Sequence, residues 1–444
     1  MPHSRRAVPH ARIAPPHFAL EAPNVVRIKA FEALRPPAAV APKVASPPYD
    51  VVSTAEARQL AAGNPLSFLH VIRPEIDLPD GTDPFDPVVY QAAHEGLDQL
   101  IELGGLRRDA DASIFLYRQV WNGRSQTGIV CCCHVDDYRA NVIRKHEKTR
   151  PDKEDDRTRH ALALDANAGP IFLTFRDVAA ISARIADDSA HRPMYHFVTP
   201  DGVTHTAWQV TDPDAYVAML ADVPHAYVAD GHHRTASAAR AAAERSQENP
   251  QHDGTEEYNW FLSTLFPANQ LTILPYNRVV ADLNGLSEAD FLAALRAVGT
   301  LSQTREPQPD HAGTFGIHVA GQWWSLTIDK QSIDWNDPIG SLDVSLLQSR
   351  VLEPILGVGD PRTDARIGFV GGIRGTDELE QRVASADAAV AFLLHPTSIN
   401  QLLHVSDAGE CMPPKSTWFE PKLRSGLFVH ALDSRPAANP LETP

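Results

Sequence analysis

The chain has 444 residues, 43% of them hydrophobic, and its formal net charge at pH 7 is −16. This length predicts two or three domains, and the acidic balance disfavours a protein that binds nucleic acid, because such affinity comes mainly from Lys and Arg. The sequence shows neither an apolar stretch of about 20 residues that would cross a bilayer nor an apolar signal-peptide core, so we expect a cytoplasmic protein without a membrane contact.

The N-terminal part predicts a disordered extension followed by a rigid loop. Residues 1–24 carry several Arg, His and Pro and are expected to be disordered, and residues 25–45 predict a first strand and a loop. In the next segment, SPPYDVVS, the paired prolines favour an extended backbone. This frame would present Tyr49 and Asp50 to their surroundings.

The next segments alternate between helical and strand patterns. STAEARQLAAG predicts a short helix that ends at Gly63, NPLSFLHVIRPE predicts a strand that runs into a loop, and residues 87–104 have helical periodicity. Two apolar runs, SIFLYRQVW and TGIVCCCHV, flank Asn122 and Gly123, a dipeptide typical of a β-hairpin. The three cysteines of the second run are expected to be buried strand residues in a reduced compartment, since the sequence contains no CxxC pair.

The remainder of the chain predicts further mixed structure. Residues 142–170 are dense in charge, and their second half is expected to be helical. Residues 171–210 predict strands and one helix, HAYVADGHHRTASAARAAAERS predicts a strand, a turn and an Ala-rich helix, and NWFLSTLFPANQLTILPYNRVV predicts two strands. Helices are predicted over residues 287–297 and 343–355, and a strand is predicted around Trp323 and Trp324. A last strand is predicted after the loop in GECMPPKSTWFEPKLRSGLFVH. The tail over residues 434–444 is expected to be disordered.

The segment DGHHR is the clearest candidate for a chemical site. An apolar run ends at Asp230, Gly231 permits a sharp turn, and the following helix is expected to begin near His233 or Arg234. The first amides of a helix are unpaired, and its positive dipole end points at the turn. His232, His233 and Arg234 beside these amides predict an anion pocket, to which Asp230 adds an acceptor or a magnesium ligand.

These motifs carry two resemblances. DGHHR before an Ala-rich helix resembles the phosphate-handling box of the ParB/sulfiredoxin-like superfamily, which includes the partition protein ParB, sulfiredoxin and the free-serine kinases. A wider set of motifs resembles the DUF1015 family, a bacterial and archaeal family without an assigned function. These motifs are SPPYDVVS, NPLSFLHVIRPE, HEKT with DDRTRH, YVADGHHRTASA, RIGFVGGIRG and MPPKSTWFEPKLRSGLF. The resemblance implies a ParB/sulfiredoxin-like core and points to serine metabolism.

The relation to the free-serine kinases implies phosphoryl transfer from ATP or ADP with Mg²⁺. Such chemistry consists mainly of positioning and charge neutralisation. The donor phosphates would lie on the Gly231 turn, held by His232, His233 and Arg234, and Asp230 would hold the metal.

The reaction also needs a carboxylate that accepts the proton of the substrate hydroxyl. Glu147 and Asp50 are the two candidates, and both precede Asp230 in the chain, as the base does in the free-serine kinases. Lys148 and Arg157 would complete an anion site around Glu147, which favours that residue. The choice between the two carboxylates stays open.

Two later segments predict further anion contacts. The glycine pair of FVGGIRG would let backbone amides approach a phosphate, with Arg374 assisting. In MPPKSTWFEPKLRSGLF, Lys415 and Lys422 would clamp a substrate carboxylate or phosphate while Trp418 stacks on a flat group.

The function favoured by these patterns is a nucleotide-dependent phosphotransferase that acts on a small hydroxylated metabolite, with free serine as a candidate. The alternatives are a non-catalytic regulator that binds a nucleotide or phosphometabolite, a metal-dependent phosphoester hydrolase, and a ParB-like DNA-binding protein, which the charge disfavours. The partner is expected to be a small molecule, not nucleic acid, and a homodimer is allowed.

The predicted fold class is α/β (α+β) with mixed sheets. Residues 25–280 are expected to form a ParB/sulfiredoxin-like core that contains the DGHHR site, and residues 281–433 a second, C-terminal α/β lobe. The site is expected between them, where pockets commonly form.

Overall fold

The computed structural model of the chain describes residues 25–432. The extension predicted over residues 1–24 and the tail predicted over residues 434–444 lie outside the described residues. The strands are β1 (Ile28–Lys29), β2 (Leu34–Arg35), β3 (Arg107–Arg108), β4 (Phe115–Trp121), β5 (Arg124–His134), β6 (Ile143–Arg144), β7 (Ala166–Asn167), β8 (Ile171–Phe175), β9 (Tyr195–Val198), β10 (Thr204–Gln209), β11 (Ala226–Asp230), β12 (Trp260–Pro267), β13 (Thr272–Leu274), β14 (Tyr276–Val280), β15 (Thr300–Gln303), β16 (Thr314–Val319), β17 (Gln322–Thr327), β18 (Ile367–Gly371), β19 (Val390–Leu394), β20 (Trp418–Glu420) and β21 (His430–Ala431). The helices are α1 (Ala41–Val44), α2 (Thr54–Ala61), α3 (Leu69–Ile72), α4 (Pro87–Glu102), α5 (Val135–Arg139), α6 (Pro151–Leu164), α7 (Ala179–Asp188), α8 (Pro213–Leu220), α9 (His232–Glu248), α10 (Glu288–Val298), α11 (Asp343–Leu347), α12 (Gly375–Ala384) and α13 (Ile399–Asp407).

The larger lobe is built on a nine-stranded mixed sheet. Its strand order is β6-β11-β8-β12-β5-β4-β10-β9, and β1 also pairs with β5. Most neighbours are antiparallel, but β11 is parallel to β6 and β12 is parallel to β8. The hairpin of β4 and β5 turns at Asn122 and Gly123, whose φ angles of 49° and 74° are both positive, as the favoured hairpin turn requires. The predicted hairpin is therefore confirmed.

The consecutive cysteines lie in the middle of this sheet. Cys131, Cys132 and Cys133 are fully buried in β5, between β1 and β12. Neighbours in a strand point to opposite faces, so Cys132 packs in one apolar core and Cys131 and Cys133 pack in the other. The prediction of buried strand residues is confirmed.

The C-terminal lobe is built on a second, six-stranded sheet with the order β15-β17-β16-β19-β14-β18. The predicted fold class, α+β with mixed sheets and a second lobe, is confirmed. The predicted helix over residues 343–355 is α11 followed by a π-helical turn over Gln348–Leu352. The domain boundary between residues 280 and 281 stays a prediction. Strand β14, which ends at Val280, pairs with β18 in the second sheet.

The last described segment, residues 412–432, returns to the larger lobe, and we call it the return segment. Its strand β20 pairs with β13, and β21 pairs with β7. The backbone of Ser425 also exchanges hydrogen bonds with Ser46, near the start of the larger lobe. The return segment is thus part of the larger lobe's core.

One predicted strand is wrong. NPLSFLHVIRPE, residues 64–75, forms the short helix α3 and a 3-10 turn over Pro74–Asp77 instead. An apolar run of this length does not distinguish a buried strand from a buried helix. The close packing of α4 against α3 favours the helix: a Cβ at Gly96 of α4 would lie 2.8 Å from the carbonyl oxygen of His70.

The predicted helix α2 is confirmed, with Ser53 and Glu56 forming a reciprocal capping box at its start. Between residues 25 and 432, none of the helices combines the length and the apolar character that a membrane crossing demands.

Candidate functional site

The strand, turn and helix predicted around DGHHR are present. Strand β11 ends at Asp230, and α9 begins at His232, one residue earlier than predicted. Gly231 has φ +96°, a conformation that residues with a Cβ rarely adopt. A Cβ there would also lie 3.1 Å from the guanidinium of Arg234, which folds back over the turn. The backbone conformation and this close contact both favour glycine at position 231.

Asp230 is the centre of a triad of charges. One carboxylate oxygen accepts a 2.8 Å hydrogen bond from Lys422 Nζ, and the other accepts a 2.9 Å hydrogen bond from Arg234 Nη2. Burial acts to raise the pKa of Asp230, but the charges of Lys422 and Arg234 outweigh burial and hold it below its ordinary value. Arg234 also donates to the carbonyl oxygen of Pro170. Both cations are thus engaged inside the protein.

Two neutral histidines lie beside the triad. The rings of His146 and His232 meet edge to face, with centroids 4.4 Å apart and an interplanar angle of 89°. Burial lowers the pKa of His146 to about 4 and also lowers the pKa of His232 strongly. Within residues 25–432, His146 Nδ1 and His232 Nε2 are buried without a hydrogen-bond partner. Arg234 Nε is likewise buried without a partner in the described residues, so three polar atoms at the DGHHR turn lack a hydrogen bond.

A cleft of about 1330 Å³ opens next to these groups. One wall comes from the larger lobe, with the loop around Asp50, helix α4 and residues 147–160, and the other comes from the C-terminal lobe and the start of the return segment. The charged residues that line it are Asp50, Arg73, Glu75, Glu147, Lys148, Arg150, Lys153, Asp156, Arg157, Asp360, Arg362, Glu410 and Lys415.

Glu147 combines access to the cleft with an altered pKa. Its Oε2 lies 3.8 Å from His232 Nδ1, and 39% of its side chain is exposed. Burial raises its pKa; the charge of Lys415 acts in the opposite direction, and the charge of Asp230 adds to the increase. A carboxylate with a raised pKa is a better proton acceptor near neutral pH than an ordinary one.

Cations and a helix N-terminus surround this carboxylate. Lys148 and Lys415 line the cleft, and neither pairs with a carboxylate in the described part of the chain. His233, at the start of α9, also lines the cleft, and its Nε2 accepts a 3.1 Å hydrogen bond from the backbone amide of Arg150. The first amides of α9 and these two ammonium groups can therefore act on an anion together.

Asp50 and Arg157, both predicted site residues, also line the cleft. Asp50 is exposed. Arg157 forms a 2.8 Å ion pair with Asp156 and lies 4.3 Å from the ring centroid of Tyr49. Because Asp156 balances its charge, Arg157 attracts an anionic ligand less strongly than Lys148 does.

Other predicted contacts lie away from the cleft. Trp418 packs against Tyr276 and covers Gly371, where a Cβ would come within 2.8 Å of the indole. Lys422 is held by Asp230, and the exposed Arg374 is not among the lining residues. The glycine pair of FVGGIRG serves packing, since the amide of Gly372 donates to a backbone carbonyl.

Several cleft residues were missed by the sequence analysis. Phe85 and Lys153 lie on the wall of the larger lobe, and Asp360 and Arg362 lie on that of the C-terminal lobe. An aromatic residue flanked by Pro and Asp in the loop DLPDGTDPFD was the available signal for Phe85. No local pattern distinguishes the other three from ordinary surface charges.

The residues around Asp230 do not fit a resident Mg²⁺. Magnesium binds oxygen ligands, but each oxygen of Asp230 already accepts a hydrogen bond from a cation. No cluster of three or more His, Cys, Asp or Glu able to hold a metal is found within residues 25–432. The predicted metal role of Asp230 has no support from this geometry.

Comparison with known proteins gives one family match. The sequence profile of a family described as "Protein of unknown function (DUF1015)" matches residues 28–345. No curated protein sequence matches the chain.

Similar solved structures are distant. A free serine kinase in complex with AMP has 10% identity and a TM-score of 0.34, covering 68% of this chain and 91% of that one. SbnI with C-terminal truncation, from Staphylococcus aureus, has 14% identity and a TM-score of 0.36, covering 68% and 87%. A conserved hypothetical protein from Pyrococcus furiosus has 10% identity and a TM-score of 0.32, covering 68% and 95%. At these scores the similarities carry no argument about this chain.

Proposed function

The chain belongs to the DUF1015 family, and we propose that it is a nucleotide-dependent phosphotransferase that acts on a small hydroxylated metabolite. The family has no assigned function, so the proposal rests on the cleft. The donor is ATP or ADP, and the acceptor is a hydroxyl group.

A single observation carries this proposal: a carboxylate with a raised pKa lies on a cleft wall beside uncompensated cations. Glu147 is that carboxylate, and Lys148 and Lys415 are the cations. The N-terminus of α9, at His233, adds its unpaired amides. Phosphoryl transfer needs a positioned proton acceptor and charge neutralisation around the phosphates, and this part of the cleft offers both.

The proposed step assigns one proton and two bonds. Glu147 accepts the proton of the substrate hydroxyl, and the hydroxyl oxygen bonds to the terminal phosphorus of the nucleotide. The bond from that phosphorus to the bridging oxygen breaks, and ADP leaves from ATP, or AMP from ADP. Lys148 and Lys415 neutralise the phosphate oxygens as charge moves to the leaving group.

Free serine is the metabolite that we propose, because the opposite wall carries a matched pair of charges. Arg362 donates to both oxygens of Asp360, with Nη2 at 2.8 Å, and both residues are exposed to the cleft. The Gln348 side chain holds this loop by donating to the carbonyls of residues 358 and 359. An amino acid brings a carboxylate for the guanidinium and an ammonium for the carboxylate, so it can replace the internal pair.

Further elements of the proposal concern ancestry and assembly. The larger lobe is proposed to be a ParB/sulfiredoxin-like core, and the protein to act in the cytoplasm, as a monomer or a homodimer. Its partners in this proposal are small molecules.

Changing Glu147 to Gln tests the proposal. We expect the phosphorylation of serine by ATP or ADP to fall by about 10²- to 10⁴-fold, because the proton acceptor is lost. Nucleotide binding should persist; a nucleotide at 100 times its Kd should stabilise both wild type and variant by about 2.7 kcal/mol in a thermal unfolding assay. The wild-type rate should also fall as the pH drops through the raised pKa of Glu147, because the protonated acid accepts no proton.

Two further variants complete this test. Asp50→Asn examines the other candidate base, and Glu102→Gln, on an exposed glutamate at the end of α4, is the matched control. Nucleotide binding without turnover in the wild type would indicate a regulator instead. Turnover that survives in Glu147→Gln but not in Asp50→Asn would move the base to Asp50.

A further inference from the structure

The cleft has two chemically different ends. Around Glu147, Lys148 and Lys415 the walls carry charge. At the other end the lining includes the apolar or aromatic residues Val52, Ile72, Pro84, Phe85, Val89 and Tyr90, and the charged residues among them form internal pairs, Arg73 with Glu75 and Arg157 with Asp156. A ligand that fills the whole cleft must therefore have an anionic part and a flat or apolar part.

One continuous stretch of chain connects the two ends of the cleft. Residues 147–153 run along the wall, and the Arg150 amide contacts His233 at the start of α9. Three residues later, Lys153 Nζ lies 5.6 Å from the ring centroid of Phe85. Helix α6 begins at Pro151 with Arg150 as its N-cap, so Arg150 and Lys153 lie within one helical turn of each other. The anionic and aromatic ends are therefore neighbours along this wall.

Phe85 is the most unusual residue of the aromatic end. Its side chain is 38% exposed. It lies between Pro84 and Asp86 in the loop that precedes α4. An exposed phenylalanine on a cleft wall, with an ammonium group over its ring, offers a stacking surface that its own protein leaves uncovered. Trp418, by contrast, is covered by Tyr276.

We propose that the Phe85 end of the cleft binds the nucleobase of the donor nucleotide by stacking, while its phosphates lie at Lys148, Lys415 and the N-terminus of α9. This subsite rests on the proposed function, because it assumes a nucleotide donor. Lys153, between the two ends, contacts the phosphate nearest the ribose. The specificity for a nucleotide over a simple polyphosphate therefore comes from Phe85.

Binding of two probes to the full-length protein separates the subsite from the phosphate site. ATP has a base and phosphates, whereas inorganic tripolyphosphate has phosphates alone. In Phe85→Ala, we expect ATP to bind about 5- to 150-fold more weakly, the range found when an aromatic side chain under a base is removed. The affinity for tripolyphosphate should stay the same, and Phe85→Tyr should restore ATP binding. Leu103→Ala, at a residue that is 51% exposed and outside the cleft, is the matched control.

The outcomes distinguish the two ideas. If Phe85→Ala weakens ATP and tripolyphosphate equally, or weakens neither, the stacking subsite is overturned while the phosphate site stands. If the wild type binds neither probe, both the subsite and the proposed phosphotransferase are overturned.

Discussion

The carboxylate of Asp230 joins the strand and helix of the DGHHR segment to the distant return segment. It ends β11, it pairs with Arg234 on α9, and it holds Lys422 of the return segment, 192 residues further on. A buried charge is costly unless it is paired, and here two cations surround one anion. The triad therefore keeps one positive charge behind the N-terminus of α9. Asp230 acts by positioning that charge in the proposed reaction, without contacting the substrate.

The charge pair on the opposite wall gives a prediction about the substrate. Changing Arg362 to Ala should raise the KM for serine about 10- to 100-fold, since a charge-assisted hydrogen bond to the substrate carboxylate is lost. The KM for the nucleotide should not change. Arg382→Ala is the control, because Arg382 lies in the same lobe but pairs with Glu378 within α12. Steady-state kinetics with each substrate varied in turn would contradict the assignment if both KM values rose together.

At this scale, sequence reasoning located the DGHHR segment and the distant cleft residues Asp50, Glu147 and Lys415, but it did not predict which residues pair over long distances. Asp230, Gly231 and His233 were predicted because a strand, a glycine and a helix follow one another locally. Lys422 was predicted as a substrate clamp, but it pairs with Asp230, 192 residues earlier in the chain. Phe85 was missed because an isolated aromatic residue in a loop has no periodic context. Long-range pairing decides such roles, and local patterns do not contain it.

The strand, turn and helix at the site depend on a glycine that a substitution can test. Gly231→Ala should lower the free energy of unfolding by about 1–3 kcal/mol from backbone strain, and should displace Arg234, which lies 3.1 Å from the new Cβ. Gly63→Ala is a matched control, because Gly63 has φ +70° and nothing within 4 Å of its Cβ position. Denaturant unfolding should show strain in both, and ATP binding should weaken only in Gly231→Ala. Equal binding losses in the two variants would contradict this role of the turn.

Elements with local signals were predicted well. The hairpin at Asn122 and Gly123 and the capped helix α2 each carry their own turn or cap chemistry. Helix α3 was predicted as a strand because its short, mostly apolar sequence LHVI fits either structure, and its packing on α4 decides between them. Helices α12 and α13 were not predicted from the sequence. The pairing of β20 and β21 with the larger lobe lies beyond any local pattern.

Two polar connections join the lobes, in addition to an apolar core that residues of both lobes share. One is the return segment, which carries Lys415 into the cleft and Lys422 to Asp230. The other is Asp407 at the end of α13, whose carboxylate accepts hydrogen bonds from partners in the larger lobe. Those partners are Arg144, Arg176 and, at 2.7 Å, the hydroxyl of Tyr227. Because the cleft has a wall from each lobe, its width depends on these connections.

Changing Asp407 to Asn should therefore weaken both stability and ATP binding. We expect the free energy of unfolding to fall by about 1–2 kcal/mol, since two ion pairs and a hydrogen bond to a partly exposed carboxylate are weakened. Burial acts to raise the pKa of Asp407, but hydrogen bonds from Tyr227 and Arg176 outweigh it and the pKa lies below its ordinary value. The wild-type advantage should thus be complete above about pH 4 and shrink as the pH falls through the folded-state pKa. Asp155→Asn is the control, because it breaks an ion pair with Arg240 inside the larger lobe. If this variant lost as much ATP affinity as Asp407→Asn, the contact between the lobes would not determine the width of the cleft.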